Sequence, residues 1–341
     1  MKILHVNYYD QRGGAAVAAY RLHSELIRQG VDSQMLVMSG SCSDKTITSS
    51  NGLNLLLNKF SRKIAFELLK LQKSDNHIPH SLNVVSGNIL KKIDEIKPDI
   101  VHLHWINGEM LSIAQIGTLC SRYPVIWTFH DAWPVCGAEH HSKIDGNNRF
   151  MHGYHKENRE VKGLDIDRYI WNIKLKHWES KRFNVIAPSH WLASCVTCSK
   201  IFKNSNVEVI HNGLDIASFS PRDTIDARKH LNLPVDRKLI AFGASYLEDK
   251  NKGGELLRSC LDDICQLSDY DCPELVTIGN GHFTHEKMKV HNLGHMADEG
   301  LLAAFYSSAD VFVLASRQDN LPNMIMEAMA CGTPCVAFKT G

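Results

Sequence analysis

The chain has 341 residues, 44% hydrophobic and 22% charged, a length and composition that suit a soluble protein of two domains with cores of their own. A net charge of +1 argues against wholesale nucleic-acid binding, which needs a strongly basic surface. Ten cysteines without framework spacing read as reduced thiols of a cytosolic protein, and Cys195-x-x-Cys198 lacks the second pair of a zinc or redox motif.

Residues 3–7 form a short apolar strand rather than a signal peptide. A Gly-rich turn over 8–14, a helix over 15–29 closed by Gly30 and a strand over 31–38 complete a βαβ unit. Gly13-Gly14 before the helix either makes a tight turn or lets an anion approach backbone N–H groups. It is not the Gly-x-Gly-x-x-Gly of dinucleotide sites. Residues 51–73 are amphipathic: Leu53, Leu56, Leu57, Phe60, Ile64, Leu68 and Leu71 share one helical stripe, and Lys59, Arg62, Lys63, Lys70 and Lys73 outnumber Glu67. The plain reading packs this stripe on a sheet. The sharper one lays a basic helix on an anionic membrane face. No segment approaches the roughly 18 apolar residues of a membrane span.

A helix over 84–96, a strand over 100–104, a helix over 110–121 and a strand over 125–129 follow, broken by Lys97-Pro98-Asp99. The last strand runs into His130-Asp131-Ala132-Trp133, and residues past a strand's carboxyl end line the ligand crevice of open α/β sheets. His130 is therefore placed for chemistry as readily as for a structural role. The irregular stretch 136–155 holds Cys136, His140, His141, His152 and His155 in no standard zinc spacing and reads as a substrate-facing flap. A helix over 165–181, a strand over 184–188, Ser189 as cap of a helix over 190–202 and a strand over 207–211 end the first series. The polar stretch 215–223, with Pro221, reads as a linker between a domain over 1–214 and one over 224–341.

The second series has strands over 239–243, 275–278 and 290–293, and helices over 253–266 and 298–307. Residues 311–314 read as a buried strand, 316–320 as a polar loop, and 321–331 as a helix with Pro322 in its first turn and Gly332 at its end. Glu327 sits in that helix among Met324, Ile325, Met326, Ala328 and Met329. A carboxylate is seldom buried without a partner, so it faces the surface or is kept for a ligand. The helix N-terminus beside Asp319 suits phosphate. One ligand with a phosphate end and a hydroxyl-rich end fits both. Two Rossmann-like halves in tandem imply a cleft for it.

Taken in order, Gly13-Gly14-Ala15, Thr128-Phe129-His130-Asp131, Ala187-Pro188-Ser189-His190-Trp191-Leu192 and Val209-Ile210-His211-Asn212-Gly213-Leu214-Asp215 form a pattern. Lys252-Gly253, Gly279-Asn280-Gly281 and residues 319–334 continue it over essentially the whole chain. In this pattern the chain resembles the retaining glycosyltransferases of family four, which have the GT-B fold: α/β, two facing Rossmann-like domains with parallel sheets. The wording of 130–133 and 319–323 looks most like transferases that build bacterial exopolysaccharide or O-antigen, such as colanic acid enzymes.

The family's Glu-x7-Glu corresponds to Asp319-x7-Glu327 here. The resemblance implies that Glu327 accepts hydrogen bonds from ribose hydroxyls and that Asp319 contacts the donor sugar near the reacting carbon. Backbone N–H groups around Asn320, Leu321 and Asn323 would meet the diphosphate, with Lys252 as the phosphate-binding lysine. Gly13 and Gly14 would let backbone approach the diphosphate or acceptor, and His130 would orient the donor sugar or hold positive charge near the reacting centre rather than act as a classical base. The implied partners are a UDP- or GDP-sugar and a glycan or lipid-linked acceptor, at the cytoplasmic face of the inner membrane, with no cofactor and no metal. The family's Gly-Arg-Leu arginine has no counterpart, since Gly243-Ala244-Ser245 stands there. The chain stops at Gly341 where relatives continue, so the second sheet is expected to be incomplete with an exposed last strand. Two alternatives stay open: a truncated relative that only binds acceptor or partner, and an NAD-dependent sugar-nucleotide enzyme.

Overall fold

A computed structural model describes residues 1–40, 43–50, 52–76, 78–142, 148–267 and 272–340, without the side chain of Leu53. Asn51, Gly341 and residues 143–147 of the expected flap lie outside the described residues. The chain divides into two compact units, Met1–Gly213 and Leu214–Thr340.

The first unit is built from β1 (Lys2–Tyr9), α1 (Gly14–Arg28), β2 (Asp32–Ser39), β3 (Ile47–Ser49), α2 (Gly52–Lys70), α3 (Ile89–Ile96) and β4 (Ile100–Leu103). It continues with α4 (Ile113–Arg122), β5 (Val125–Thr128), α5 (Arg149–His152), α6 (Ile166–Trp178), β6 (Asn184–Ala187), α7 (His190–Cys198) and β7 (Asn206–Val209). Its seven strands are all parallel, in the order β3-β2-β1-β4-β5-β6-β7. The chain moves outward from β1 to β3, then returns to place β4 on the other side of β1, which makes the β1/β4 boundary a topological switch point. Trp127, Trp178, Phe183 and Phe202 form an aromatic layer of the core, Trp127 and Trp178 edge to face at 5.5 Å.

Several elements follow from local chemistry. Ser112 and Gln115 make a capping box at the start of α4, and Ser189 caps α7 through the Leu192 N–H. Residues 84–87, expected to be helical, are not. Asn83 has φ 48°, and the buried Glu109 carboxylate accepts from the N–H groups of Asn83 and Val84, so these donors are satisfied without a helix.

The stripe on α2 is real but faces outward. Leu56, Phe60 and Phe66 are 65%, 64% and 62% exposed, and Leu57, Ile64, Leu68 and Leu71 are exposed with them. The face turned inward carries Asn54, Asn58 and Ala65. Asn58 accepts from the Tyr8 hydroxyl at 2.8 Å and donates to the Gly108 carbonyl at 2.8 Å. Asn54 accepts from the Asn88 N–H. Satisfied amides dock this helix together with Leu55, Ala65 and Leu69, and the described members of the predicted stripe, Leu56, Leu57, Phe60, Ile64, Leu68 and Leu71, are not the packed face.

The second unit comprises α8 (Thr224–His230), β8 (Leu239–Tyr246), α9 (Gly254–Leu267), β9 (Glu274–Asn280), β10 (Val290–Asn292), α10 (Glu299–Ser308), β11 (Val311–Leu314), α11 (Asn323–Ala330) and β12 (Cys335–Ala337). Its five parallel strands run β10-β9-β8-β11-β12, with a switch point between β8 and β11. The polar stretch 215–223 carries an anchor, Phe219, which is buried in this core 6.5 Å from the Tyr306 ring. Cys265 of α9 forms a disulfide with Cys272, against the expectation of reduced thiols throughout. No helix among the described residues is long and apolar enough to cross a membrane.

Candidate active site

In the second unit the switch point brings Lys252 and Asp319 together. A 3-10 turn over Lys250–Lys252 follows β8, and the loop after β11 lies against it. Asn251 accepts from the Arg317 N–H at 2.8 Å and donates from Nδ2 to the Gln318 carbonyl at 2.9 Å. Gly253, at φ +73°, approaches the Ala315 carbonyl so closely that any Cβ would collide with it. This stitching sets Lys252 Nζ 2.7 Å from Asp319 Oδ2, which also accepts from the Ser316 hydroxyl at 3.3 Å. Asp319 Oδ1 receives the Asn320 N–H at 3.0 Å. The ion pair is partly open, its side chains 30% and 18% exposed, so an anionic ligand can compete for the lysine.

α11 begins at Asn323, with Pro322 at the N-cap rather than in the first turn and no side-chain cap. Leu321 and Asn323 are half-buried there, and Asn320 is buried. Glu327 is neither surface-facing nor unpartnered. It is 5% exposed, and its Oε2 accepts from the Tyr306 hydroxyl of α10 at 2.7 Å. Tyr306 is fully buried, and its carbonyl accepts from the Thr333 hydroxyl at 2.7 Å. One oxygen of Glu327 is thus held by the Tyr306 hydroxyl, which fixes the orientation of the side chain. Gly243 leaves the space that Met324 of α11 fills, and Ala244 stands where the family's arginine would be.

In the first unit, Gly13-Gly14, His104-Trp105 and His130-Asp131 all lie just past the carboxyl ends of adjacent strands β1, β4 and β5. Gly13, at φ 90°, is the N-cap of α1 and has nothing within 4 Å of where a Cβ would stand. His130 belongs to a buried run of imidazoles. Its Nε2 is 3.1 Å from His104 Nδ1, and His104 Nε2 is 3.0 Å from His5 Nδ1. His102 stacks on His104 at 4.2 Å and shares a hydrogen bond with the Thr128 hydroxyl at 2.8 Å. Alternation explains the grouping: His102 and His104 are two apart on β4 and face the same way as His5, which pairs with His102 in register.

Burial brings His130 down to about 4, against the pull of Asp131, and His102 to about 3, with the neighbouring His130 adding to the effect. Burial first and the neighbouring imidazoles second hold His104 and His5 well below the usual histidine range. The run is neutral at pH 7. Among the described residues, His5, His102 and His104 bring possible metal-ligating atoms within 4.8 Å of one another. Both ring nitrogens of His104 are already engaged in hydrogen bonds, so His104 would ligate an ion only by giving one up.

Cys136, His140, His141, His152 and His155 form no such group among the described residues. His140 is buried instead, with Nδ1 2.6 Å from Asp131 Oδ2 and Nε2 2.9 Å from the Ser81 hydroxyl. Asp131 also accepts from Trp105 Nε1 at 2.9 Å and the Trp133 N–H at 3.0 Å. Burial would raise its carboxyl, but His140 first, then His141 and the Trp133 N–H, hold it at about 2. Lys174 is fully buried and donates to the carbonyls of Trp133, Cys136 and Gly137. Burial brings its ammonium down to about 7. Residues 136–140, the start of the expected flap, are core tied down by these contacts.

Tyr306, His104, His5 and Asp131 were not singled out from the sequence. The His-x-His of β4 was a visible signal, but its partner on β1 required the strand order.

Residues 12–218 match the family model "Glycosyltransferase Family 4", and residues 237–341 match "Glycosyl transferases group 1". The chain is 22% identical to the putative colanic acid biosynthesis glycosyl transferase WcaC of Escherichia coli K12, over 99% of this chain and 83% of that protein. It is 24% identical to the D-inositol 3-phosphate glycosyltransferase of Mycolicibacterium gilvum, over 96% of this chain and 70% of the relative. Among solved structures, Anabaena Alr3699/HepE in complex with UDP-glucose superposes with a TM-score of 0.60 at 16% identity, covering 100% of this chain and 81% of that one. That likeness shows the fold, GT-B.

Proposed function

Since the chain belongs to glycosyltransferase family 4 and is a glycosyltransferase, we propose that it moves a sugar, with retention of configuration, from a UDP- or GDP-sugar to a hydroxyl of a glycan or lipid-linked acceptor in bacterial surface polysaccharide assembly. The observation that carries this reading is the Lys252–Asp319 pair at the second switch point, beside the α11 that holds Glu327. It offers a cation for a diphosphate, a carboxylate for the sugar and a second, fixed carboxylate for ribose hydroxyls. The family's Glu-x7-Glu spacing is kept as Asp319-x7-Glu327.

In the reaction, the bond between the anomeric carbon and the diphosphate oxygen breaks while the acceptor oxygen bonds to the same face of that carbon. The acceptor proton passes to the leaving phosphate oxygen. Charge accumulates on the diphosphate, and Lys252, exchanging Asp319 for phosphate, stabilises it together with backbone N–H groups around Asn320, Leu321 and Asn323. We take no metal to be required, because these groups supply the positive potential. Gly13 and Gly14 give backbone access to a phosphate or acceptor oxygen, and His130 holds a sugar hydroxyl. WcaC, by its name, acts in colanic acid biosynthesis, and HepE was crystallised with UDP-glucose; both support the choice of acceptor class and donor.

We assign the exposed face of α2 to an anionic membrane surface at the cytoplasmic side. Leu56, Phe60, Ile64 and Phe66 would enter the interface, and Lys59, Lys63, Lys70 and Lys73 would meet lipid phosphates. Flotation with phosphatidylglycerol vesicles should bind the chain at low salt. Phosphatidylcholine vesicles should not, and Phe60→Ser should weaken binding; equal binding to both lipids would remove the assignment. Calorimetry with UDP, GDP and NAD tests the donor class. Binding of UDP or GDP that Lys252→Ala weakens is expected. Binding of neither nucleotide, or of NAD alone, would sink the reading.

A further inference from the structure

We propose that His104 and His5 fix the tautomer of His130, so that His130 presents an Nδ1–H donor, and not a bare lone pair, to an oxygen of the bound sugar. The three rings form one chain across β1, β4 and β5, with nitrogen–nitrogen separations of 3.1 Å and 3.0 Å. A neutral imidazole has one N–H and one lone pair, so the chain's two hydrogen bonds must run in the same sense. In one sense the protons point from His5 towards His130, and His5 Nε2 ends the chain as a lone pair. In the other, His5 Nε2 carries an N–H.

The end of the chain decides between them. His5 Nε2 is buried and has no hydrogen-bond partner. Its ring is fully buried, with the His23 ring edge-on at 5.8 Å. A buried N–H without an acceptor is the rarer and costlier fault, and an under-satisfied acceptor is the more tolerated one. His5 Nδ1–H therefore donates to His104 Nε2, and His104 Nδ1–H donates to His130 Nε2. His130, with its Nε2 lone pair occupied, carries its proton on Nδ1. That atom has no hydrogen bond to any described residue and is not among the buried unpaired atoms, and the ring is half-buried, so Nδ1 is the one left for a ligand. The stacked His102, itself held by Thr128, keeps the His104 ring in plane with its partners.

Imidazole in water favours the Nε2–H form, so the chain reverses the intrinsic preference. The consequence is a division of labour. His130 can hold a sugar oxygen but has no lone pair with which to take the acceptor proton, which is left to the leaving phosphate. His104 and His5 act through His130 and are positioning residues. What Nδ1–H touches rests on the glycosyl-transfer reading; the tautomer does not.

The full chain labelled with nitrogen-15 histidine reads the tautomer directly from the ring nitrogen shifts, His130 being assigned by its loss in His130→Asn. The expected spectrum has His130 protonated at Nδ1 and bare at Nε2. His104→Asn keeps an amide donor towards His130 and should preserve this form, with kcat within about threefold of wild type. His104→Asp offers only an acceptor and should switch His130 to the Nε2–H form, with kcat lowered about tenfold, the worth of one hydrogen bond near 1.4 kcal/mol. An Nε2–H wild type, or the same tautomer in both variants, overturns the proposal. If neither variant folds, the wild-type spectrum decides alone. An Nδ1–H spectrum from a chain that transfers no sugar would keep the tautomer and remove the function.

Discussion

At the switch point of the first unit, between β1 and β4, the polar side chains are imidazoles hydrogen-bonded to one another in a row. At that of the second unit, between β8 and β11, they are a lysine and a carboxylate. Both solve the same problem, polar groups at the carboxyl edge of a parallel sheet, by opposite means. The histidines are buried and uncharged, so their order depends on proton placement and little on salt. Lys252 and Asp319 form an ion pair that keeps part of its access to water, so a ligand's charge can replace either partner. A neutral network holds a geometry, and a paired charge can be released to a ligand.

Acid should break the comparison most strongly. His5, His23, His80, His102, His104 and His130 all titrate below the usual histidine value, burial being the first cause in each. The unfolded chain binds these protons near pH 6.5 and the folded chain only at lower pH, so stability is present above 6.5 and lost as pH falls. For His102, whose imidazole lies at about 3, the loss at pH 5 is about 2 kcal/mol, and His5 and His104 lose stability in the same direction. Burial raises Asp167 and Glu109, which bind protons in the fold and oppose this, but they are two groups against six. In the second unit Asp310 is lowered, chiefly by its hydrogen bonds to the Leu239 N–H and Lys238 outweighing burial, and loses its contribution only below the ordinary aspartate value. Segment-resolved hydrogen exchange at pH 7 and pH 5 should therefore show β1 and β4 loosening before β8 and β11. Loss of both together would contradict the contrast.

The catalytic predictions come next in size. Lys252→Ala should lower kcat by roughly two orders of magnitude, as removal of one preorganised transition-state partner does, and should flatten the salt dependence of donor binding. Glu327→Ala should lower kcat/KM by about a hundredfold through lost charge-assisted hydrogen bonds to ribose, with the fold retained by circular dichroism. Tyr306→Phe removes only the hydroxyl that orients Glu327. It should cost about 1 kcal/mol, a fivefold rise in KM for the donor with kcat nearly unchanged. An unaltered KM would mean that the hydroxyl serves packing alone.

Much of the first comparison was hidden in the sequence and most of the second was legible. Asp319, Glu327 and Lys252 follow strands whose apolar runs are plain, and their Asp-x7-Glu spacing survives without knowledge of contacts. The pairing of Lys252 with Asp319 and the Tyr306 hydroxyl on Glu327 came only with the loops and helices in place. On the histidine side, His130 stood out at a strand end, but His5 and His104 looked like ordinary strand residues. They meet because β4 lies beside β1, a fact of topology rather than of local pattern. α2 shows the limit from another direction. Its leucine stripe has the period of a buried face, yet Asn54 and Asn58 find partners across the fold and take the inward side. Hydrophobic periodicity identifies a helix reliably but not which face the rest of the fold will accept.

The most direct test of the account is a screen of UDP- and GDP-sugars with the full chain, following nucleoside diphosphate and free or transferred sugar together. The account predicts that one donor releases both in equal amounts, and that His130→Ala lowers the rate about tenfold and Glu327→Ala about a hundredfold. No release from any donor, or release at wild-type rate in the His130→Ala chain, would contradict it.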